Sequence, residues 1–323
     1  MVPTIADLGE NESLKRTIAR LNQSASAIVG PGDDSAVVTA PDGRFTVTTD
    51  TMVEGHDFKL DWSSAYDLGY KAIASNVADV AAMGAKPTSL VVALICRSNT
   101  EISWLESFAD GLRDGCQALA PEAAVVGGDL TVADTTVIAV TAHGDLEGRE
   151  PVLRSGAKPG DIIAVAGTMG RAAAGLALLM SNNKDAISAY DEVVGFQLRP
   201  QPPVQAGIDA AIAGATSMLD ISDGLSRDAD RIAKASGVTI ALHRRDLQGY
   251  EAILEEPAMA IGANAFDWVI DGGEDHSLLA TFPRDAKLPR AFKPIGEVLA
   301  KGAYRVTLDG APLDEGGWDS VRD

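Results

Sequence analysis

Cysteine is nearly missing from this chain: Cys96 and Cys116 are the two present in 323 residues, each inside an apolar run. That excludes a disulfide-built scaffold and offers no zinc-type spacing, so two buried free thiols are expected. Basic residues are scarce as well, 27 Lys and Arg against 46 Asp and Glu, for a net charge of −19. Phosphate backbones need clustered Lys and Arg, so no nucleic-acid partner is expected. No apolar run nears the ~18 residues of a membrane span, and the acidic N-terminus has no signal-peptide core. A cytoplasmic protein with no membrane partner is the expectation. The four histidines (His56, His143, His243, His276) show no metal spacing. No Gly-x-x-x-x-Gly-Lys-Ser/Thr loop occurs, and no Ser-His-Asp or Cys/His signature points to a covalent catalytic nucleophile.

What is present reads as an ordinary globular composition, 46% hydrophobic and 23% charged. The length suits two domains of roughly 150 residues each. Residues 45–50, 89–96, 123–126 and 135–142 are rich in Val, Thr, Ile and Leu and predict strands. Helices are predicted over 64–83, ended by Gly84 and Pro87, and over 101–119, where Ile102, Leu105, Phe108, Leu112, Cys116 and Leu119 recur at three- and four-residue steps. Such a mixture predicts an α+β domain over 1–147. Turn formers crowd 148–160, and a second domain, 148–323, follows. Its pattern predicts strands at 161–166, 238–243, 277–281 and 304–308 and helices after Gly170, at 204–213 and at 225–235. The polar tract 181–191 reads as a connection.

Five aspartate-bearing segments punctuate the chain: Gly32-Asp33-Asp34, Thr48-Thr49-Asp50, Asn76 to Asp79, Gly127-Gly128-Asp129 and Asp220-Ile221-Ser222-Asp223-Gly224. Carboxylates beside glycines and hydroxyls suit hard, oxygen-seeking cations such as Mg²⁺. Brought together without cations they would repel by roughly 4 kcal/mol for each pair about 4 Å apart. Each segment also has a plainer reading. Asp50 would start a turn after its strand, and Asp79 would be a buried, hydrogen-bonded helix residue. Gly127-Gly128 would be a glycine turn, and Ser222 or Asp223 a helix N-cap. Gly167-x-x-Gly170 reads as a packing turn in preference to a phosphate loop, and Arg154 as a cation at the domain junction.

In order along the chain, these segments resemble the thiamine-monophosphate kinase family of the aminoimidazole ribonucleotide synthetase superfamily. The resemblance runs through residues 32–36, 48–55, 69–87, 127–129, Leu-Arg-Ser-Gly-Ala-Lys-Pro-Gly-Asp at 153–161, Asp-Ile-Ser-Asp-Gly-Leu at 220–225 and Gly-Gly-Glu-Asp at 272–275. It implies ATP-dependent phosphorylation of thiamine monophosphate to the diphosphate, with ATP as co-substrate and several Mg²⁺ ions. Asp34, Thr48, Thr49, Asp50, Asp79, Asp129, Asp220 and Asp223 fall at the family's metal ligands. Gly128, Asp129, Arg154 and Ser222 fall at its ATP contacts, and Asp57, Glu274 and Trp318 at its acceptor-substrate contacts. The family fold joins strands of two N-terminal domains into a dimeric barrel, implying a homodimer, with an α/β C-terminal domain closing the cleft. Two departures touch the acceptor side. Asp57 stands where the family usually has His, and His276-Ser277 where Tyr-Glu is usual.

Two other readings stay open at this level. One is an aminoimidazole ribonucleotide synthetase-like ligase. The other is a catalytically silent protein that binds Mg²⁺ and nucleotide. The absence of cysteine from the first 40 residues speaks against selenophosphate synthetase.

Overall fold

The structure, a computed structural model, describes residues 3–31, 35–313 and 316–317, with the backbone alone at Glu10 and Asn11. Asp34 and Trp318, expected as a metal ligand and an acceptor contact, lie outside the described residues. Two compact units divide the chain. One holds the residues up to Val80 with Ala85–Gly148, and the other holds Ala81–Gly84 and the chain from Arg149.

In the first unit α1 (Ile5–Ile18) precedes a short antiparallel pair, β1 (Ala27–Val29) and β2 (Val37–Val38). Then come β3 (Thr46–Val53), α2 (Ala65–Ala82), β4 (Lys86–Cys96), α3 (Ile102–Leu119), β5 (Ala124–Val132) and β6 (Val137–Asp145). Among the described residues, four of these strands form a sheet in the order β3-β6-β4-β5, with β4 and β5 parallel. Burial alternates along β4 and β6, so one face is core (Val92, Leu94, Ile138, Val140) and the other only half-buried. The stripe of α3 is buried from Ile102 to Cys116, as its spacing predicts. Small residues let α2 and α3 cross backbone to backbone. A Cβ on Gly111 would lie 2.1 Å from the Tyr66 carbonyl oxygen, and one on Gly69 would lie 2.2 Å from that of Phe108.

Two local expectations fail here, for one reason: strand pairing runs further than the apolar residues do. Asp50 does not end its strand, because β3 stays paired with β6 through Val53. Gly127-Gly128-Asp129 is not a turn either; it continues β5, whose parallel ladder to β4 shifts register just before Gly127.

The second unit's strands are β7 (Ile162–Ala166), β8 (Ser217–Ile221), β9 (Val238–Leu242), β10 (Ser277–Phe282), β11 (Phe292–Ala300), β12 (Val306–Leu308) and β13 (Ala311–Pro312). They form a sheet in the order β13-β12-β9-β11-β7-β10-β8, mostly antiparallel. Its helices are α4 (Arg171–Ser181), α5 (Lys184–Ala189), α6 (Asp191–Leu198), α7 (Val204–Ile212), α8 (Leu225–Ser236), α9 (Arg244–Glu251), α10 (Glu255–Ile261) and α11 (Ala265–Asp271). Ile163, Val165, Leu219, Ile221, Leu225, Ile232, Ile240, Val269 and Leu279 belong to one core cluster. The polar tract at 181–191 is not a plain connection. It folds as α5, capped by the Asn183 side chain at the Ala186 amide (3.1 Å), and opens α6. Short helices with one buried face carry many exposed polar residues, which masked them in the sequence. Among the described residues no helix is long and apolar enough to cross a membrane. Both cysteines are buried and free, and burial pushes the Cys116 thiol up to about 12.

Candidate active site

In the first unit Asp79 and Thr48 come together from α2 and β3. The Thr48 hydroxyl donates to the Asp79 carboxylate at 2.7 Å. This contact explains a mid-helix aspartate in an apolar helix: its side chain reaches a strand, and does not compete for its own backbone. Asn76, one turn earlier, sends its amide back to the Ala72 carbonyl at 2.9 Å. Asp50 shares the Thr48 side of β3 by the two-residue alternation of a strand and is exposed. Thr49 faces the other way. Its hydroxyl donates to the Val140 carbonyl at 2.9 Å and accepts from Thr141 at 3.2 Å.

Gly128 and Asp129 lie on the wall of a cavity of about 560 Å³ within this unit, lined also by Leu14, Ile18, Leu105, Phe108 and Val126. Gly128 tolerates no side chain, because a Cβ there would sit 2.1 Å from the Val92 carbonyl oxygen. Asp129 pairs with Ala93 on the half-buried face of the sheet, opposite the face that meets Asp79. Asp57 closes the turn after β3, accepting from the Val53 amide at 2.7 Å with His56 Nδ1 at 3.1 Å. Its neighbour Glu54 accepts two bonds from Arg97, at 2.7 and 3.0 Å, and one from the Thr136 amide. The Arg97 guanidinium, helped by that amide, holds the Glu54 carboxyl down at about 2.

In the second unit Asp220 is buried near the end of β8, and its carboxylate lies 3.2 Å from His276 Nδ1. Asp223 is bound by Arg231, which also donates to Asp228 at 2.6 Å. Asp228 in turn accepts from the Asp223 amide at 3.1 Å. Burial pushes the Asp228 carboxyl up to about 7; the charges of Asp220 and Asp223 add to this, while Arg231 opposes it. The N-cap of α8 is Gly224, with no side-chain capping bond, so neither Ser222 nor Asp223 serves as cap.

Ser222 and Glu274 are adjacent, the Glu274 amide donating to the Ser222 carbonyl at 2.9 Å. The Glu274 carboxylate accepts from Gln197 Nε2 at 2.7 Å. Arg154 is exposed, with its carbonyl accepting from the Ser236 hydroxyl at 3.2 Å. The turn 167–170 already holds an internal carboxyl group. Asp275, fully buried, accepts from the Thr168 hydroxyl at 2.6 Å and the Ala172 amide at 3.4 Å. Burial raises its carboxyl. That carboxyl group occupies the start of α4, and a Cβ on Gly170 would lie 2.8 Å from the Trp268 backbone, which fits the packing-turn reading.

Among the described residues no three Asp, Glu, His or Cys side chains form a group able to hold an ion by themselves. Mg²⁺ does not require one, since it keeps waters and takes one or two carboxylates plus substrate phosphates. A carboxylate with an adjoining hydroxyl, as at Asp79 and Thr48, is a donor set that fits it.

The chain matches the family model of AIR synthase related protein, N-terminal domain, over residues 32–146, and that of the C-terminal domain over 158–309. Thiamine-monophosphate kinase of Mycobacterium tuberculosis is 43% identical over 319 residues, covering 98% of this chain and 93% of that protein. The chain belongs to the thiamine-monophosphate kinase family. A solved thiamine-monophosphate kinase from Stenotrophomonas maltophilia superposes with a TM-score of 0.78 at 30% identity, over 94% of this chain and 98% of that one. The structure of AaThiL complexed with AMPPCP and TMP gives 0.76 at 28% identity, over 97% and 96%.

Within this kinase family fold, the sequence reading left out Asp228, Arg231 and Gln197, and quoted Asp275 in its motif without a role. The three-residue spacing of Asp228 and Arg231 on a helix was a usable signal. Gln197 carried none, because α6 itself was not foreseen.

Proposed function

We propose that this chain transfers the γ-phosphoryl group of ATP to thiamine monophosphate, giving thiamine diphosphate and ADP, in one in-line step without a phosphoenzyme. The observation that carries the reading is the near full-length likeness to a kinase structure holding AMPPCP and TMP together. It is supported by oxygen donors without any nucleophile-base pair among the motifs. Phosphoryl transfer needs positioning and charge neutralisation more than covalent chemistry.

The cavity beside Gly128 and Asp129 has the volume and apolar walls that suit the base of ATP. Mg²⁺, when bound, supplies charge neutralisation and alignment of the phosphates. Several ions are proposed: Thr48, Asp50 and Asp79 on one face of the first unit's sheet, Thr49 and Asp129 on the other, and Asp220 and Asp223 in the second unit would hold them, with Asp34. Arg154 and Ser222 serve the ATP phosphates, and Asp57, Glu274 and Trp318 the acceptor. The protein acts as a cytoplasmic homodimer in this reading. Two free, buried thiols suit a reducing compartment. Phe45, just before β3, and Val47 on it are 58% and 59% exposed, an apolar surface that a second copy would cover.

The test is incubation of the purified chain with thiamine monophosphate and Mg-ATP, separating the products. Thiamine diphosphate and ADP formed in equal amounts are the expected result. ATP consumption that ignores thiamine monophosphate, or an acid-stable phosphoprotein on the path, would overturn the reading.

A further inference from the structure

Gln197 in α6 is buried, only 5% exposed, and its amide nitrogen donates to the Glu274 carboxylate at 2.7 Å. Its amide oxygen is buried too, and has no partner among the described residues. Turning the amide over would aim that oxygen at the carboxylate, setting two acceptors face to face. Glu274 therefore fixes the orientation, and the orphaned oxygen is what that orientation costs. A buried polar group left unsatisfied calls for an explanation, because a plain apolar side chain would avoid the penalty. The explanation lies at the other end of the bond. Glu274 sits at φ 65, in the left-handed region, with its amide bound to the Ser222 carbonyl. Ser222 thus holds its backbone and Gln197 its carboxylate.

We propose that Gln197 is a positioning residue for the acceptor substrate: its amide holds the Glu274 carboxylate in the orientation that receives thiamine monophosphate. This rests on the proposed role of Glu274 in acceptor binding.

Gln197→Leu, Gln197→Glu, Glu274→Gln and the Gln197→Leu/Glu274→Gln pair would be compared by steady-state kinetics with both substrates varied. For Gln197→Leu, KM for thiamine monophosphate is expected to rise about tenfold, with KM for ATP within about twofold of wild type, as loss of one charge-assisted bond predicts. Gln197→Glu keeps the shape but sets like charges together, so its rise should be larger. It carries the test if the leucine variant fails to fold. The double variant should be no worse than Glu274→Gln alone, since Gln197 acts through Glu274. A purely packing role would raise both KM values together, or add to the Glu274→Gln loss, and either result overturns the proposal. So does an unchanged acceptor KM in both Gln197 variants while Glu274→Gln raises it. An unchanged acceptor KM in Glu274→Gln itself would remove the underlying reading, and the proposal with it.

Discussion

Asp79 of the first unit meets a neutral hydroxyl, from Thr48 at 2.7 Å, whereas Asp220 and Asp223 of the second meet the side chains of His276 and Arg231. The two arrangements position carboxylates by different means. A hydroxyl partner adds no charge; it orients the carboxylate and can itself become a further oxygen ligand. An arginine partner supplies the positive charge in advance, so the loop 222–224 is held whether or not an ion is present. That device has a cost inside the protein. Asp228, fully buried, titrates near 7 because burial and two neighbouring carboxylates outweigh Arg231. In the proposed reading Asp79 serves an outside cation for function, whereas Asp223 and Asp228 take the inside cation Arg231 for structure.

Substitutions on the two sides should separate these dependences. Asp79→Asn keeps the shape and the Thr48 contact but removes the charge. Turnover should drop by about 10³ or more, as for loss of a principal electrostatic element, with the unfolding midpoint little changed. Normal turnover would take Asp79 out of the site. Arg231→Met should do the reverse. It strands the buried Asp228 and should destabilise the fold by about 3 kcal/mol in urea titration. A stable Arg231→Met protein with poor turnover would mean that Arg231 serves the chemistry, and the contrast between the units would fail. Thr48→Val is the smaller perturbation. It should lower turnover about tenfold, the worth of one hydrogen bond to a charged group, and Thr48→Ser should restore it. Equal loss in the serine variant would show that the methyl group, and not the hydroxyl, matters.

The sequence exposed the long, periodic elements and the donors themselves: α3 by its stripe, and the Asp79 helix by its small residues. It did not expose how far strand pairing extends. Asp50 and Gly127-Gly128-Asp129 looked like chain turns because strand propensity fades there, yet hydrogen bonding to β6 and β4 carries both strands onward. Nor did it expose which neighbour answers each carboxylate. Thr48 with Asp79 and Gln197 with Glu274 are separated by 31 and 77 residues, and no local pattern encodes such a meeting. The family resemblance named the residues; the folded chain shows what holds Asp79, Asp220, Asp223 and Glu274.

The weakest expected effect concerns Glu54, which ties the turn after β3 to Arg97 and to the Thr136 amide. Its carboxyl is held down at about 2 from an ordinary 4.5, first by Arg97. A folded value below the unfolded one means that the stabilisation is complete above about pH 4.5 and is lost as pH falls through about 2. Because Arg97 is 41% exposed, water screens the pair, and the contribution at pH 7 should be about 1 kcal/mol. Glu54→Gln should therefore unfold earlier in urea at pH 7 by that amount. The gap to wild type should narrow steadily from pH 4.5 downward and close near pH 2. A gap that stayed constant over this window would assign the effect to packing of the side chain, and one that widened would reverse the sign of the ion-pair argument.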